Sequence, residues 1–129
     1  MKIITLNNNN KEYIKNIEEI GKKSLPIHYT YDDLLKMVED NKFTVNMCID
    51  DNILIGFIII NHIEKNRNHI MSIGVSTEYR RKGVGKQLIN TANNQMISLY
   101  VQYGNDAIKF YKKLNFQILE KLENYYDNL

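Results

Sequence analysis

One seven-residue segment, Arg80-Arg81-Lys82-Gly83-Val84-Gly85-Lys86, gathers four cations around two glycines where a strand gives way to a helix. Backbone N–H groups at a helix start lack partners within the helix, and glycines let a ligand approach them closely, so the pattern describes an anion site. Two other phosphate motifs do not fit. A P-loop requires Gly-x4-Gly-Lys-Ser/Thr, but Arg80 and Gln87 occupy its first and last positions; a dinucleotide fingerprint requires Gly where Leu88 stands. What remains is Arg-x-x-Gly-x-Gly. Other reactive side chains are scattered. Cys48 is the single cysteine, which excludes an internal disulfide, and with three dispersed His it cannot supply a Cys-rich zinc site. It reads as a small buried apolar residue rather than a nucleophile. His28 and His62 have no partner pattern, and Lys112-Lys113 reads as a solvated helix end that suits the helix dipole.

The elements that must position the anion loop follow from periodicity. After a short first strand and the polar Asn7–Asn10 turn, Tyr13, Ile14, Ile17 and Ile20 mark a helix expected to end near Gly21. A second helix follows Thr30, with Tyr31, Leu34, Leu35 and Val38 as its stripe and Asp33 placed to complete a cap. Phe43–Ile49, an Asp50-Asp51-Asn52 turn and Ile53–Ile63 read as a hairpin. A polar loop, 64–68, leads to the strand His69–Val75. Beyond it helix and strand alternate: a helix opening at Gly83 with Val84, Leu88, Ile89 and Ala92 on one face, a strand Ile97–Tyr103, a helix Asn105–Lys113, and a strand Phe116–Leu122. That alternation is the signature of parallel strands joined by helical crossovers, so the expected class is α+β, with α/β character in the second half.

The 129 residues, 43% hydrophobic and 25% charged, suit one core, and a single domain over 1–129 is expected. A formal charge of +2 is too mild to imply a nucleic-acid groove or membrane surface. The N-terminus lacks a signal-peptide apolar region, and the longest apolar run, Ile53–Ile60, is interrupted by Gly56 and far short of the ~20 residues of a membrane helix. A cytoplasmic protein, acting on no nucleic acid and no membrane, is the expectation.

The Arg-x-x-Gly-x-Gly loop resembles the pyrophosphate loop of the GNAT acetyltransferases, which bind acetyl-coenzyme A. About twenty residues downstream, Asn105-Asp106-Ala107-Ile108-Lys109-Phe110-Tyr111-Lys112-Lys113-Leu114-Asn115-Phe116 is similar to that family's Asn-x-x-Ala-x-x-Phe-Tyr-x-Lys-x-Gly-Phe segment, with Asn115 in place of Gly. Asn is the next-best residue where a helix ends in a left-handed conformation. Leu25-Pro26-Ile27-x-Tyr29, Ile70–Gly74, Tyr79–Gly83, Val101-Gln102 and Asn124-Tyr125-Tyr126 extend the resemblance to the NatE-type catalytic subunits of protein N-terminal acetyltransferases, over roughly residues 11–126. The resemblance implies a central mixed six-stranded sheet flanked by about four helices. It also implies acetyl-CoA as co-substrate, no metal, and a protein or peptide N-terminus as substrate, with Met-starting sequences preferred. Leu25, Pro26, Ile27, Tyr29, Tyr125 and Tyr126 would wall a peptide groove. The backbones of Ile73 and Val75 and the loop Arg80–Lys86 would hold the cofactor, with Asn105 capping its helix and touching the pantetheine arm. Family members continue into a last strand after the counterpart of Tyr126. That strand is expected to be missing here, with Phe116–Leu122 pairing directly with the preceding strand through a right-handed crossover. A monomer is favoured, and a ribosome or auxiliary subunit is a conceivable partner.

Acetyl transfer from a thioester to an amine needs a neutral nucleophile, a polarised carbonyl and a proton for the departing thiolate. A peptide α-amino group, with a reference pKa of ~7.7–8.0, is roughly a quarter to a third neutral near pH 7.5, whereas a lysine side chain costs about 3.5–4 kcal/mol more to deprotonate. A modest base therefore suffices for an N-terminal substrate. The strands His69–Val75 and Ile97–Tyr103 contain no Asp or Glu, leaving His69 and Tyr100. In the NatE-type group the corresponding pair works through an ordered water, with Tyr and His in exchanged positions. Imidazole, at ~6.5 against ~10 for a phenol, is the better base, so His69 is assigned that role and Tyr100 that of its water-holding partner. A solvated strand-end histidine is the alternative. The resemblance gives the Ile73 backbone N–H to the carbonyl, and to Tyr111 the general-acid or sulfur-positioning role. Gly74 is expected to mark a bulge that splays its strand from the next. Acetylation of lysine or a small amine, and a non-catalytic module that binds coenzyme A or a partner, are the competing readings.

Overall fold

The computed structural model describes residues 1–25, 28–101 and 105–118, and the chain groups into two compact units, Met1–Leu99 and Tyr100–Leu129. The first unit holds a mixed sheet of β1 (Lys2–Thr5), β2 (Phe43–Asp50), β3 (Ile53–Glu64), β4 (Arg67–Val75) and β5 (Met96–Leu99), ordered β1-β2-β3-β4-β5. The first four strands run antiparallel to their neighbours, and β5 joins β4 in parallel. Helices α1 (Ile14–Ser24) and α2 (Tyr31–Val38) connect β1 to β2, and α3 (Val84–Asn90) is the crossover from β4 to β5. The second unit contains α4 (Ala107–Lys113). The α+β class, the mixed sheet and the four helices agree with the sequence. Five strands lie among the described residues; of the expected Phe116–Leu122 strand, 116–118 are in no regular element and the rest fall outside them. No helix among the described residues is long and apolar enough to cross a membrane.

β3 is buried on both faces from Leu54 to Ile60, which is why its sequence is a nearly unbroken apolar run. On one face Val45, Met47, Phe57 and Ile59 pack with Ile14, Ile17 and Leu34 from α1 and α2. On the other, α3 lies against the sheet at Gly56, where an added Cβ would come within 3.1 Å of Val84 and 3.2 Å of Leu88. The hairpin between β2 and β3 turns on Asp51 and Asn52, both at positive φ (50° and 65°), the geometry that a two-residue type I′ turn requires.

Thr30 caps α2 as its spacing predicts: its hydroxyl accepts from the Asp33 N–H at 3.2 Å, and its own N–H donates to the Asp33 carboxylate at 3.0 Å. Tyr31 N–H also donates to Glu18 of α1 at 2.8 Å, so the same turn fastens the two helices together. Thr30→Ala removes half of this box and is expected to cost about 1 kcal/mol, read as a fall of roughly 3–5 °C in Tm.

Three local expectations are corrected. α1 does not stop at Gly21 but runs to Ser24; Gly21 is small because His28 sits 3.1 Å from where its Cβ would be. The 64–68 loop is only a Lys65-Asn66 turn, because Glu64 and Arg67 pair across the ladder. The bulge in β4 is at Met71, not Gly74: Ile59 pairs with Ser72 and Ile60 with Ile70, leaving Met71 as the extra residue. Gly74 has a packing role instead, since a Cβ there would sit 2.8 Å from the Phe57 ring and 3.1 Å from Ile20.

Candidate active site

The Met71 bulge decides the shape of the sheet edge. An extra residue bends its strand and increases local twist. The β4–β5 ladder covers only Arg67–Ile70 against Met96–Leu99, so the pairing ends where the bulge begins, and Met71–Val75 continue without β5. Ile73 and Val75, the backbone positions assigned to a carbonyl and a cofactor, lie on this stretch.

His69 stands just before the bulge, opposite Asn61 on β3 and Ser98 on β5. Its register partner Asn61 shares a face with Ile59 and Phe57, which places His69 on the side of the sheet covered by α1 and α2. It is 7% exposed, so it is not a solvated strand end. Its Nδ1 lies 2.7 Å from Ser98 Oγ, and Arg67 Nη2 donates to the same oxygen at 3.4 Å. Burial first, and the Arg67 charge second, hold the His69 pKa below its ordinary value, because both disfavour the imidazolium. β4 and β5 carry no carboxylate that would counter this.

Neither Ser98 nor Arg67 was indicated by the sequence, because a register between strands separated by a crossover has no local signature. His62 likewise has no partner pattern in the sequence. Its ring lies 2.7 Å from Thr44 Oγ1 through Nε2 and 2.8 Å from Asn68 Oδ1 through Nδ1, and Asn68 Nδ2 donates to the Ala92 carbonyl at 3.0 Å. This chain of contacts stitches β2, β3 and β4 to the turn that follows α3, through Asn68, the residue before His69.

The cationic loop is a turn through residues 80–83 that enters α3 at Val84, with Arg81 at φ 64° and Gly83 at φ 81°. Val84, Leu88 and Ile89 bury the first turns of α3, which fixes the loop to the sheet. Arg80 is committed locally: its Nε donates to the Val75 carbonyl at 3.3 Å and its Nη2 to Ser24 Oγ at 3.1 Å, tying the loop to the ends of β4 and α1. Arg81, Lys82, Gly83 and Lys86 are exposed, and Lys82 Nζ lies 5.4 Å from the Tyr79 ring centre. Exposed cations beside a left-handed glycine suit a polyanionic ligand.

Leu25 and Tyr29 pack partly buried against the α1–α2 core, and Tyr29 also lines an open cleft of about 260 Å³ with Asp33, Lys36, Met37, Asp40 and Phe43. Pro26, Ile27, Gln102, Tyr125 and Tyr126 lie outside the described residues.

In the second unit, Tyr100 is exposed and directly follows β5, whose end at Leu99 precedes the expected Tyr103. Asn105 behaves as a cap, its Oδ1 accepting from the Ala107 N–H at 2.9 Å. Tyr111 is held edge-on between Phe110 and Phe116, with ring centres 5.3 and 5.7 Å away. Asn115 adopts φ 71° in the Gly position of the motif, the left-handed helix end that its residue type allows.

Comparison with known proteins gives a consistent picture. Residues 10–116 match the acetyltransferase (GNAT) family profile. The N-alpha-acetyltransferase of Saccharolobus solfataricus is 30% identical over 95% of this chain and 85% of its own. Among solved structures, Ard1 from Thermoplasma volcanium superposes with a TM-score of 0.82 at 28% identity, covering 98% of this chain and 89% of its own. Arabidopsis thaliana Naa50, in complex with the bisubstrate analogue CoA-Ac-MVNAL, superposes with a TM-score of 0.76 at 27% identity, covering 100% of this chain and 92% of its own.

Proposed function

The chain belongs to the acetyltransferase (GNAT) family, and from that membership we propose that it transfers acetyl from acetyl-CoA to the free N-terminal α-amino group of a protein or peptide, Met-starting sequences preferred. The family profile spans the junction of the two compact units, which supports residues 1–129 acting as one catalytic domain. The observation that carries the substrate class is the buried His69, kept neutral on strands without a carboxylate. Such a base is matched to an α-amine at ~7.7–8.0 and poorly matched to a lysine at ~10.4. The peptide half of the CoA-Ac-MVNAL analogue carried by the plant relative begins with Met, which supports the preference.

In this reading acetyl-CoA supplies an acyl thioester, and its polyphosphate is held by the loop Arg80–Lys86 through backbone N–H groups and the exposed cations. Arg80 braces that loop rather than meeting the ligand alone. The Ile73 N–H polarises the acetyl carbonyl from the part of β4 that has left β5, with the Val75 backbone aligning the pantetheine arm. His69 removes the ammonium proton through a water that Tyr100 helps to hold. Asn105 contacts the arm, and Tyr111 positions the sulfur and returns a proton to the thiolate. Leu25 and Tyr29, packed against the α1–α2 core, are the described residues proposed to meet the first residues of the peptide.

The test is release of free coenzyme A with peptides beginning Met-Leu, Ser or Ala and with an N-terminally blocked peptide carrying Lys. Fastest turnover on the Met-Leu peptide is expected. Turnover confined to the blocked peptide would make the enzyme a lysine acetyltransferase, and cofactor binding without any turnover would make it a binding module.

A further inference from the structure

We propose that Ser98 is a positioning residue for acetyl transfer, accepting the Nδ1–H of His69 and so directing proton exchange through Nε2. The inference rests on the reading of His69 as the base. A base that takes a proton on Nε2 carries its other proton on Nδ1, in the neutral ring and in the imidazolium alike, and that proton needs an acceptor. Ser98 Oγ is the oxygen at 2.7 Å. The two residues are direct register partners in the short parallel ladder, so the backbone itself sets the distance.

Arg67 completes the arrangement. Its Nη2 donates into the same oxygen at 3.4 Å, which leaves the second lone pair of Oγ for the His69 Nδ1–H. Arg67 Nε is buried with no hydrogen-bond partner among the described residues, and Arg67 is the register partner of Glu64 on β3, so the guanidinium is held at the start of the ladder beside His69 and Ser98. The guanidinium discourages resting protonation of the imidazole, while Ser98 retains a place for the Nδ1 proton once Nε2 accepts another. The hydroxyl thus fixes which nitrogen works, and the cation keeps that nitrogen ready.

The imidazole nitrogen shifts of His69, followed by NMR at about pH 8 with His69→Gln as the assignment control, read the tautomer without turnover. The expected wild-type form is Nδ1–H. Ser98→Ala is expected to shift His69 toward Nε2–H and to lower kcat by about 10–100-fold with KM nearly unchanged, and Ser98→Thr, which keeps the hydroxyl, is expected to restore both. An Nε2–H ring in the wild type, or an unchanged tautomer in Ser98→Ala, overturns the proposal. So does full kcat in Ser98→Ala while His69→Gln is inactive. Undiminished activity in His69→Gln instead overturns the base reading, a separate result because the tautomer is measured independently of rate.

Discussion

An enzyme carrying His69→Gln is expected to turn over about 10²–10⁴-fold more slowly than the wild type, the usual worth of a positioned general base. Gln preserves most of the side chain's volume and hydrogen bonding at a site 7% exposed, so the loss reports proton transfer rather than collapse of the sheet. The pH dependence carries the same signature. Burial and Arg67 both disfavour the imidazolium, so the proton that silences His69 binds only below the ordinary ~6.5, and kcat should hold through neutral pH and fall on the acid side of that value. The Gln enzyme should lack this acid limb. Stability shifts in the same direction: the unfolded chain binds the His69 proton more tightly than the folded one, so the wild type loses stability as pH falls below ~6.5. Rates measured against pH for both proteins decide the matter, and a Gln enzyme with the wild-type profile removes His69 from the chemistry.

Phe57→Ala is expected to destabilise the protein by about 3–5 kcal/mol, lowering Tm by on the order of 10–20 °C. The ring is 2% exposed in the middle of β3, in the cluster that joins α1 and α2 to the sheet, and it lies over Gly74 on β4. The contact makes the effect specific rather than merely large. Gly74→Ala alone drives a Cβ to 2.8 Å from the ring and is expected to cost about 1–3 kcal/mol. In the Phe57→Ala background the same methyl enters the space the ring has left, so its cost should largely vanish. A double-mutant cycle by thermal or urea unfolding reads the coupling directly, and simple additivity contradicts the close approach.

Features that depend on a few neighbouring residues were legible from the sequence: the Thr30–Asp33 cap, the Asp51-Asn52 turn, the left-handed Asn115 and the Arg/Gly loop ahead of α3. Each is a local conformational preference that tertiary packing did not override. Features that depend on pairing between distant strands were not. Gly74 looks like a bulge because glycine often marks one, yet its reason is the ring of Phe57, a residue distant in sequence that faces it directly across the β3–β4 ladder. Gly21 looked like a helix stop, yet it makes room for His28. Ser98 is an unremarked polar residue in a short strand until the parallel ladder sets it beside His69. The sequence therefore disclosed the residue that could act as base more readily than the residues that hold it.

The bulge at Met71 sets the phase of β4. Side chains along a regular strand alternate, so His69 would ordinarily share a side with Ile73; the extra residue resets the count, and His69 instead shares one with Ser72 and Gly74, toward α1 and α2. Which compartment receives the imidazole is thus decided by how many residues the strand contains, not by which ones. Exchanges of one apolar residue for another at this position leave that arithmetic intact, whereas loss of a single residue would turn the imidazole toward α3 and let β5 zip onward along the edge.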